Sequence, residues 1–284
     1  MPQHQPSPST ADKRRAFHAL HTAGCFVIPN PWDAGSARYL QGLGFKALAS
    51  TSSGMAWSMG QADNQVQREH VLAHLRQIVA ATDLPVNADF ENGFGATPDV
   101  VAHSVSLAVD TGIAGLSIED STGDPAQPLF SIGEAAERVR AARQAIDANG
   151  GDTLLVGRAE GFLWGRPDLD EAIARLQAYA QAGADCLYAP GLSKREQIAA
   201  VVKAVAPKPV NLLIGSTASG LTVKDAADLG VRRISVGGGL ARAAWGGFMR
   251  AAQLIADEGR FDGFADAASG NALNQFFGPG PSIK

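Results

Sequence analysis

The stretch TGIAGLSIED, residues 111–120, carries three signals in ten residues: a glycine after a helical run, a short apolar segment, and two closing acids, Glu119 and Asp120. A glycine just past a helix takes the left-handed conformation that ends it. A short apolar run bounded by such signals reads as a strand buried on both faces. The phrase recurs in LGFKALAS (43–50), AGADCLYAP (182–190) and LGVRRISVG (229–237). LPVNADF (84–90) and KPVNLLIG (208–215) enter their strands through proline instead. With CFVIPN (25–30) and TLLVGRAE (153–160) there are eight short strands, starting near residues 25, 47, 86, 115, 153, 186, 209 and 233.

Between the strands lie segments with apolar residues at i, i+3, i+4 spacing: 68–82, 97–112, 133–151, 168–183, 194–205 and 222–230. Strict strand/helix alternation implies an α/β protein with a parallel sheet and helices outside it. Eight such units in about 230 residues have the size of a (β/α)8 TIM barrel. An open doubly wound sheet is the alternative, but it calls for G-x-G-x-x-G after the first strand, where this chain has NPWDAGSARYL (30–40). A long helix carrying Trp245, Phe248 and Met249 follows the eighth strand. The expected organisation is a disordered tail over 1–11, a barrel over 12–260 and a C-terminal extension over 261–284.

Composition narrows the function. Among 284 residues, 24 Lys and Arg against 28 Asp and Glu leave a net charge of −4, without the basic surplus of a nucleic-acid binder. No run approaches the ~18 apolar residues of a membrane span, and the polar start has no apolar signal-peptide core. Two cysteines, Cys25 and Cys186, are too few for a disulfide framework, so the expected compartment is the cytoplasm.

In a parallel barrel the active site lies at the C-terminal ends of the strands. There the third strand closes on Asp89 and Glu91, the fourth on Glu119 and the fifth on Arg158 and Glu160, while Asp63 lies in the loop after the second. Side chains two apart on a strand share a face, so Asp89 and Glu91 should converge, with Glu119 beside them. Converging carboxylates repel unless a cation or protons intervene. Mg2+ is the expected cofactor, with Mn2+ as a substitute, because the donors are hard oxygens and no His/Cys cluster is present. The competing reading is that these acids cap helices or form an ion-pair layer with Arg158. Arg158 offers a planar fork to a carboxylate or phosphate. The small-residue stretch Ser52-Ser53-Gly54-Met55 either cradles a second anion with its amides or is an ordinary polar turn. Together these features suggest a small substrate with more than one anionic group.

The runs N-A-D-F-E-N-G-F-G (87–95), S-I-E-D (117–120), G-R-A-E (157–160), T-S-S-G-M (51–55) and N-P-W-D-A-G-S-A-R (30–38) together resemble the isocitrate lyase / phosphoenolpyruvate mutase superfamily, over residues 15 to 260. The resemblance implies a barrel that binds Mg2+ and an oxo or hydroxy acid and works through an enolate. It implies Asp89 as direct metal ligand, with Glu91, Glu119 and Asp63 acting through bound waters. It also implies Ser53, Gly54 and Met55 holding a carboxylate and Arg158 stabilising the oxyanion. A homo-oligomer built by exchange of the last barrel helix, around 240–258, is expected on the same ground.

The chain departs from the superfamily at the loop after the fourth strand. Where the lyases carry Lys-Lys-Cys-Gly-His, residues 121–130 read STGDPAQPLF, without cysteine or histidine. Tyr188, closing the sixth strand, is a candidate acid/base, and Asn211, on the seventh, a candidate carboxylate partner. The reading is a Mg2+-dependent carbon–carbon lyase of small 2-hydroxy or 2-oxo di- or tricarboxylates, by retro-aldol cleavage or decarboxylation. Phosphonopyruvate-type P–C chemistry, or a degenerate barrel that only binds an oxo acid, are the alternatives.

Overall fold

The computed structural model describes residues 7–278; residues 1–6 of the expected tail and 279–284 of the expected extension lie outside the described residues. Eight strands form the barrel: β1 (Phe26–Ile28), β2 (Leu48–Ala49), β3 (Val86–Asp89), β4 (Gly115–Glu119), β5 (Leu154–Arg158), β6 (Cys186–Tyr188), β7 (Val210–Leu213) and β8 (Arg233–Ser235). All pair in parallel, in the order β1-β8-β7-β6-β5-β4-β3-β2. At the remaining seam, between β1 and β2, Ala49 N donates to Pro29 O at 3.0 Å. Asn30 spans the seam, donating Nδ2 to Ser50 O and accepting from the amides of Val236 and Gly237, each at 2.9 Å. This is the expected (β/α)8 barrel, nearly closed.

The outer helices fall where the apolar periodicity placed them: α4 (Arg68–Ala81), α5 (Pro98–Val109), α6 (Ile132–Ala148), α7 (Leu169–Gln181), α8 (Arg195–Val205) and α9 (Val223–Asp228). α2 (Ala34–Gly42) follows β1, and α3 (Ser52–Ser58) follows β2. α1 (Thr10–Leu20) begins inside the stretch expected to be tail, because Ser9 and Asp12 make a reciprocal capping box that starts a helix there. The helix seals the N-terminal end of the barrel. Its Phe17 is fully buried, and Arg14 donates to the Ile113 and Val109 carbonyls at 2.9 and 3.0 Å.

Beyond the barrel, α10 (Gly239–Glu258) buries only Ala241 and leaves Trp245, Phe248 and Met249 exposed. The chain then returns through α11 (Gly270–Phe277), whose Phe276 ring lies 5.1 Å from that of Tyr39 on α2. A side chain at Gly42 would meet Phe276 at 2.6 Å, so the glycine is what lets the ring seat on α2. No helix of the described residues is long and apolar enough to cross a membrane.

Candidate active site

The register that brings Glu119 beside Arg158 and Arg158 beside Tyr188 gathers the polar strand ends around a cavity of about 180 Å3 at the C-terminal mouth. Asp63, Asp89, Arg158 and Tyr188 line it, together with Ser52, Ser53, Arg233 and Ser235.

Arg158 is the hub. Its Nη1 lies 3.1 Å from both Asp89 Oδ1 and Glu119 Oε2, its Nε donates to Glu160, and its guanidinium sits 5.2 Å from the centre of the Tyr188 ring. The ion-pair layer weighed against a metal site therefore exists, and one planar fork serves three acids. Burial opposes the Arg158 charge, but Glu119, Glu160 and Asp89 outweigh it and hold the group firmly protonated. Nη2 has no hydrogen-bond acceptor among the described residues.

Asp89 is fixed on both oxygens, because Oδ2 also accepts from Ser52 N at 3.0 Å. Burial, with the charge of Asp89 beside it, raises the carboxyl of Asp63, against which the Ser52 hydroxyl lies. Glu91 reaches this group by a different route from the expected strand alternation. β3 stops at Asp89, and Glu91 sits in a turn with φ of 47°. The turn is held by left-handed Gly93 and Phe94, by Phe94 N donating to Asn92 Oδ1 at 3.1 Å, and by Arg138 Nη2 donating to the Asn92 and Gly95 carbonyls at 2.7 Å each. Gly93 has φ of 83°, and a side chain there would meet Val101 at 2.9 Å, which accounts for the glycine. Burial and then the charges of Asp89 and Asp63 push the Glu91 carboxyl up to about 8. Burial likewise raises Glu119 well above the carboxylate range against the pull of Arg158.

Among the described residues no three His, Cys, Asp or Glu side chains form a ready-made metal cage. The donors nevertheless suit a hard divalent ion. They are carboxylate oxygens, several are raised first by burial and then by one another's charge, and an ion held by one or two of them would keep most of its waters.

Ser52–Met55 is not an open turn but the start of helix α3, capped by Thr51. Gly54 N donates to Thr51 Oγ1 at 3.3 Å and Met55 N to Thr51 O at 3.1 Å, so the helix itself uses the two amides expected to bind a carboxylate. Met55 is buried in the core. Ser53 alone of the three lines the cavity. Asn211 is also spoken for. Its Oδ1 accepts from Arg233 Nε at 2.8 Å and its Nδ2 donates to Ser235 Oγ at 2.9 Å.

Two residues to which the sequence assigned no role, Glu160 and Arg233, belong to the site. Glu160 is buried on Arg158, and its amide donates to Asp120 Oδ1 at 2.8 Å. Asp120 is itself locked by Tyr179 Oη at 2.6 Å and Arg175 Nη1 at 3.0 Å, a structural role. Arg233 is 2% exposed in the barrel interior. The signal for it was present, a charge inside an apolar strand, but its neighbour Arg232 obscured which of the two faces inward.

The segment after β4 is a closed turn. Ser121 bridges Leu129, Thr122 N donates to Pro128 O at 3.0 Å, and Arg175 Nη1 holds Phe130 O at 2.9 Å while the Arg138 guanidinium lies 4.2 Å from the centre of the Phe130 ring.

The phosphoenolpyruvate phosphomutase family model matches residues 17–256. The chain belongs to this family. It is 31% identical over 238 residues to an oxaloacetate decarboxylase of Paraburkholderia xenovorans, covering 79% of this chain and 75% of that one. Among solved structures it superposes on a candidate lyase/mutase of Burkholderia cenocepacia J2315 with 48% identity and a TM-score of 0.93, over 96% of this chain and 99% of that one. A 2,3-dimethylmalate lyase, a member of the PEP mutase/isocitrate lyase superfamily, aligns at 27% identity and a TM-score of 0.82, covering 94% of each chain.

Proposed function

We propose that the protein is a divalent-cation-dependent lyase that decarboxylates a small 2-oxo dicarboxylate such as oxaloacetate through an enolate. The observation carrying this reading is the closed turn after β4, which holds neither cysteine nor histidine, together with a small cavity edged by Asp89, Arg158 and Ser53. Retro-aldol cleavage of a 2-hydroxy acid must strip a hydroxyl proton and deliver one to the departing carbanion, which calls for a paired base and acid. Loss of CO2 from a 2-oxo acid needs no such base, only charge stabilisation at the developing C2 oxyanion. The oxaloacetate decarboxylase relative points the same way.

Mg2+, held by Asp89 with Asp63, Glu91 and Glu119 around its waters, would supply Lewis-acid charge at the C1 carboxylate and C2 oxygen. Arg158 Nη2 donates to the C2 oxyanion as it forms, and the Ser53 end of α3 faces the C1 carboxylate. Arg158 also keeps Glu119 and Glu160 from repelling the anionic substrate. Exchange of α10 between copies, which would cover Trp245, Phe248 and Met249, makes the protein a homo-oligomer in this reading.

The test is CO2 release from oxaloacetate with Mg2+, with Mn2+ and in EDTA. Asp89→Ala should abolish turnover and Mg2+ binding while the far-UV spectrum and thermal unfolding remain those of a folded barrel. Full activity in EDTA, or phosphate release from phosphonopyruvate with no CO2 from oxaloacetate, would replace the reading.

A further inference from the structure

Decarboxylation leaves an enolate whose C3 must take up a proton. The cavity lining includes no His, Lys or Cys, and its ionisable groups are Asp63, Asp89, Arg158, Tyr188 and Arg233. The two acids stand on the metal-binding side, and arginine does not give up its proton. Tyr188 remains, with its ring beside Arg158.

A chain of hydrogen bonds ends at Ser235, which lines the cavity with Tyr188. Arg233 is a buried cation that pairs with no carboxylate among the described residues. It donates Nε to Asn211 Oδ1 at 2.8 Å and Nη1 to Asn87 Oδ1 at 3.4 Å. Holding a guanidinium in the interior without a counter-ion is costly, so an ordinary core would not retain it. A guanidinium can only donate, and that fixes the sense of the amide beyond it. Asn211 must turn Oδ1 to Arg233 and Nδ2 to Ser235 Oγ, at 2.9 Å. Ser235 Oγ accepts from Asn211, which leaves its own hydrogen free on the wall of the cavity that it lines together with Tyr188.

We propose that Tyr188 is the acid that protonates C3 of the enolate, and that Arg233, Asn211 and Ser235 are positioning residues for its hydroxyl, in place of the cysteine or histidine that the turn after β4 lacks. The proposal rests on the decarboxylation reading. The C3–C4 bond breaks, its electron pair passes into the enolate and CO2 leaves. C3 then takes the Tyr188 Oη proton, and water at the cavity mouth returns one to the phenolate.

The test separates this step from decarboxylation. The enol of 2-oxobutyrate, released in situ from its (Z)-enol phosphate by alkaline phosphatase in D2O, is presented to the full-length protein with Mg2+. The product is trapped by reduction, and the configuration of deuterium at C3 is read by NMR. The wild type should give a single configuration. Tyr188→Phe should slow enzyme-dependent ketonisation by about 10²–10⁴-fold and give both configurations equally. Ser235→Ala should lower the stereochemical excess, and Ser235→Thr, which keeps the hydroxyl, should restore it. Equal configurations from the wild type, or a single one from Tyr188→Phe, would overturn the proposal. Failure of the decarboxylation reading shows up separately, as no CO2 from oxaloacetate with the wild type.

Discussion

At Arg158 one planar cation meets Asp89 and Glu119 through Nη1 and Glu160 through Nε, so the charge balance of the strand-end layer depends on a single side chain. Removing one partner of a buried ion pair leaves its counterpart uncompensated, at a cost of about 3–5 kcal/mol. Arg158→Met should therefore destabilise the barrel by about that amount near neutral pH, read as a lower urea midpoint. The deficit should shrink as the pH falls. Without the guanidinium, Glu119 and Glu160, already raised by burial, bind protons more tightly in the folded than in the unfolded chain, and acid then favours the folded state. A deficit independent of pH would show that Arg158 contributes packing rather than charge.

At the level of elements, the barrel was legible because each βα unit carries its own signals: glycine or proline at the strand entry, an unbroken apolar strand, then helical periodicity. The site was legible only in part, because its backbone departs from regular elements. Strand periodicity put Glu91 beside Asp89 on one face, whereas a left-handed turn held by Arg138 brings it there. The same small residues that read as a loop at 52–55 are a helix, because Thr51 caps it. Arg233 was hidden by a neighbouring arginine, since nothing short of the register decides which of two adjacent residues faces the axis. The turn over 121–130 has a consequence of its own. With Arg175 and Arg138 holding its C-terminal end and a bridge closing it, it is not built as a gate. Hydrogen exchange over 121–130 should be the same with and without Mg2+ and oxalate, apart from residues that touch the ligand. Strong protection of the whole segment on binding would show a closing lid instead.

For the molecule as a whole, the exposed face of α10 and the cluster of raised carboxyls make separate demands. If Trp245, Phe248 and Met249 are covered by a second copy, Phe248→Asp should shift light-scattering mass toward the monomer, since a buried charge without a partner opposes association. The carboxyls govern stability against pH. Asp63, Glu91, Glu119 and Glu160 are all raised, first by burial, Glu91 to about 8, so the folded chain holds protons that the unfolded chain has released. Stability without a divalent ion must then fall as pH rises toward 8. His21 acts in the opposite sense. Burial pushes it down to about 3 from 6.5, so its contribution is lost only as pH falls below 6.5 and is constant above. The window from pH 6.5 to 8 therefore isolates the acids. In EDTA the unfolding temperature should decline across it. With saturating Mg2+ the cation takes the place of the protons, so the decline should flatten or reverse, and Mg2+ affinity should rise with pH as binding releases protons. Parallel curves with and without Mg2+ would mean that the ion does not bind among these acids, and Asp89 would lose its assignment as ligand.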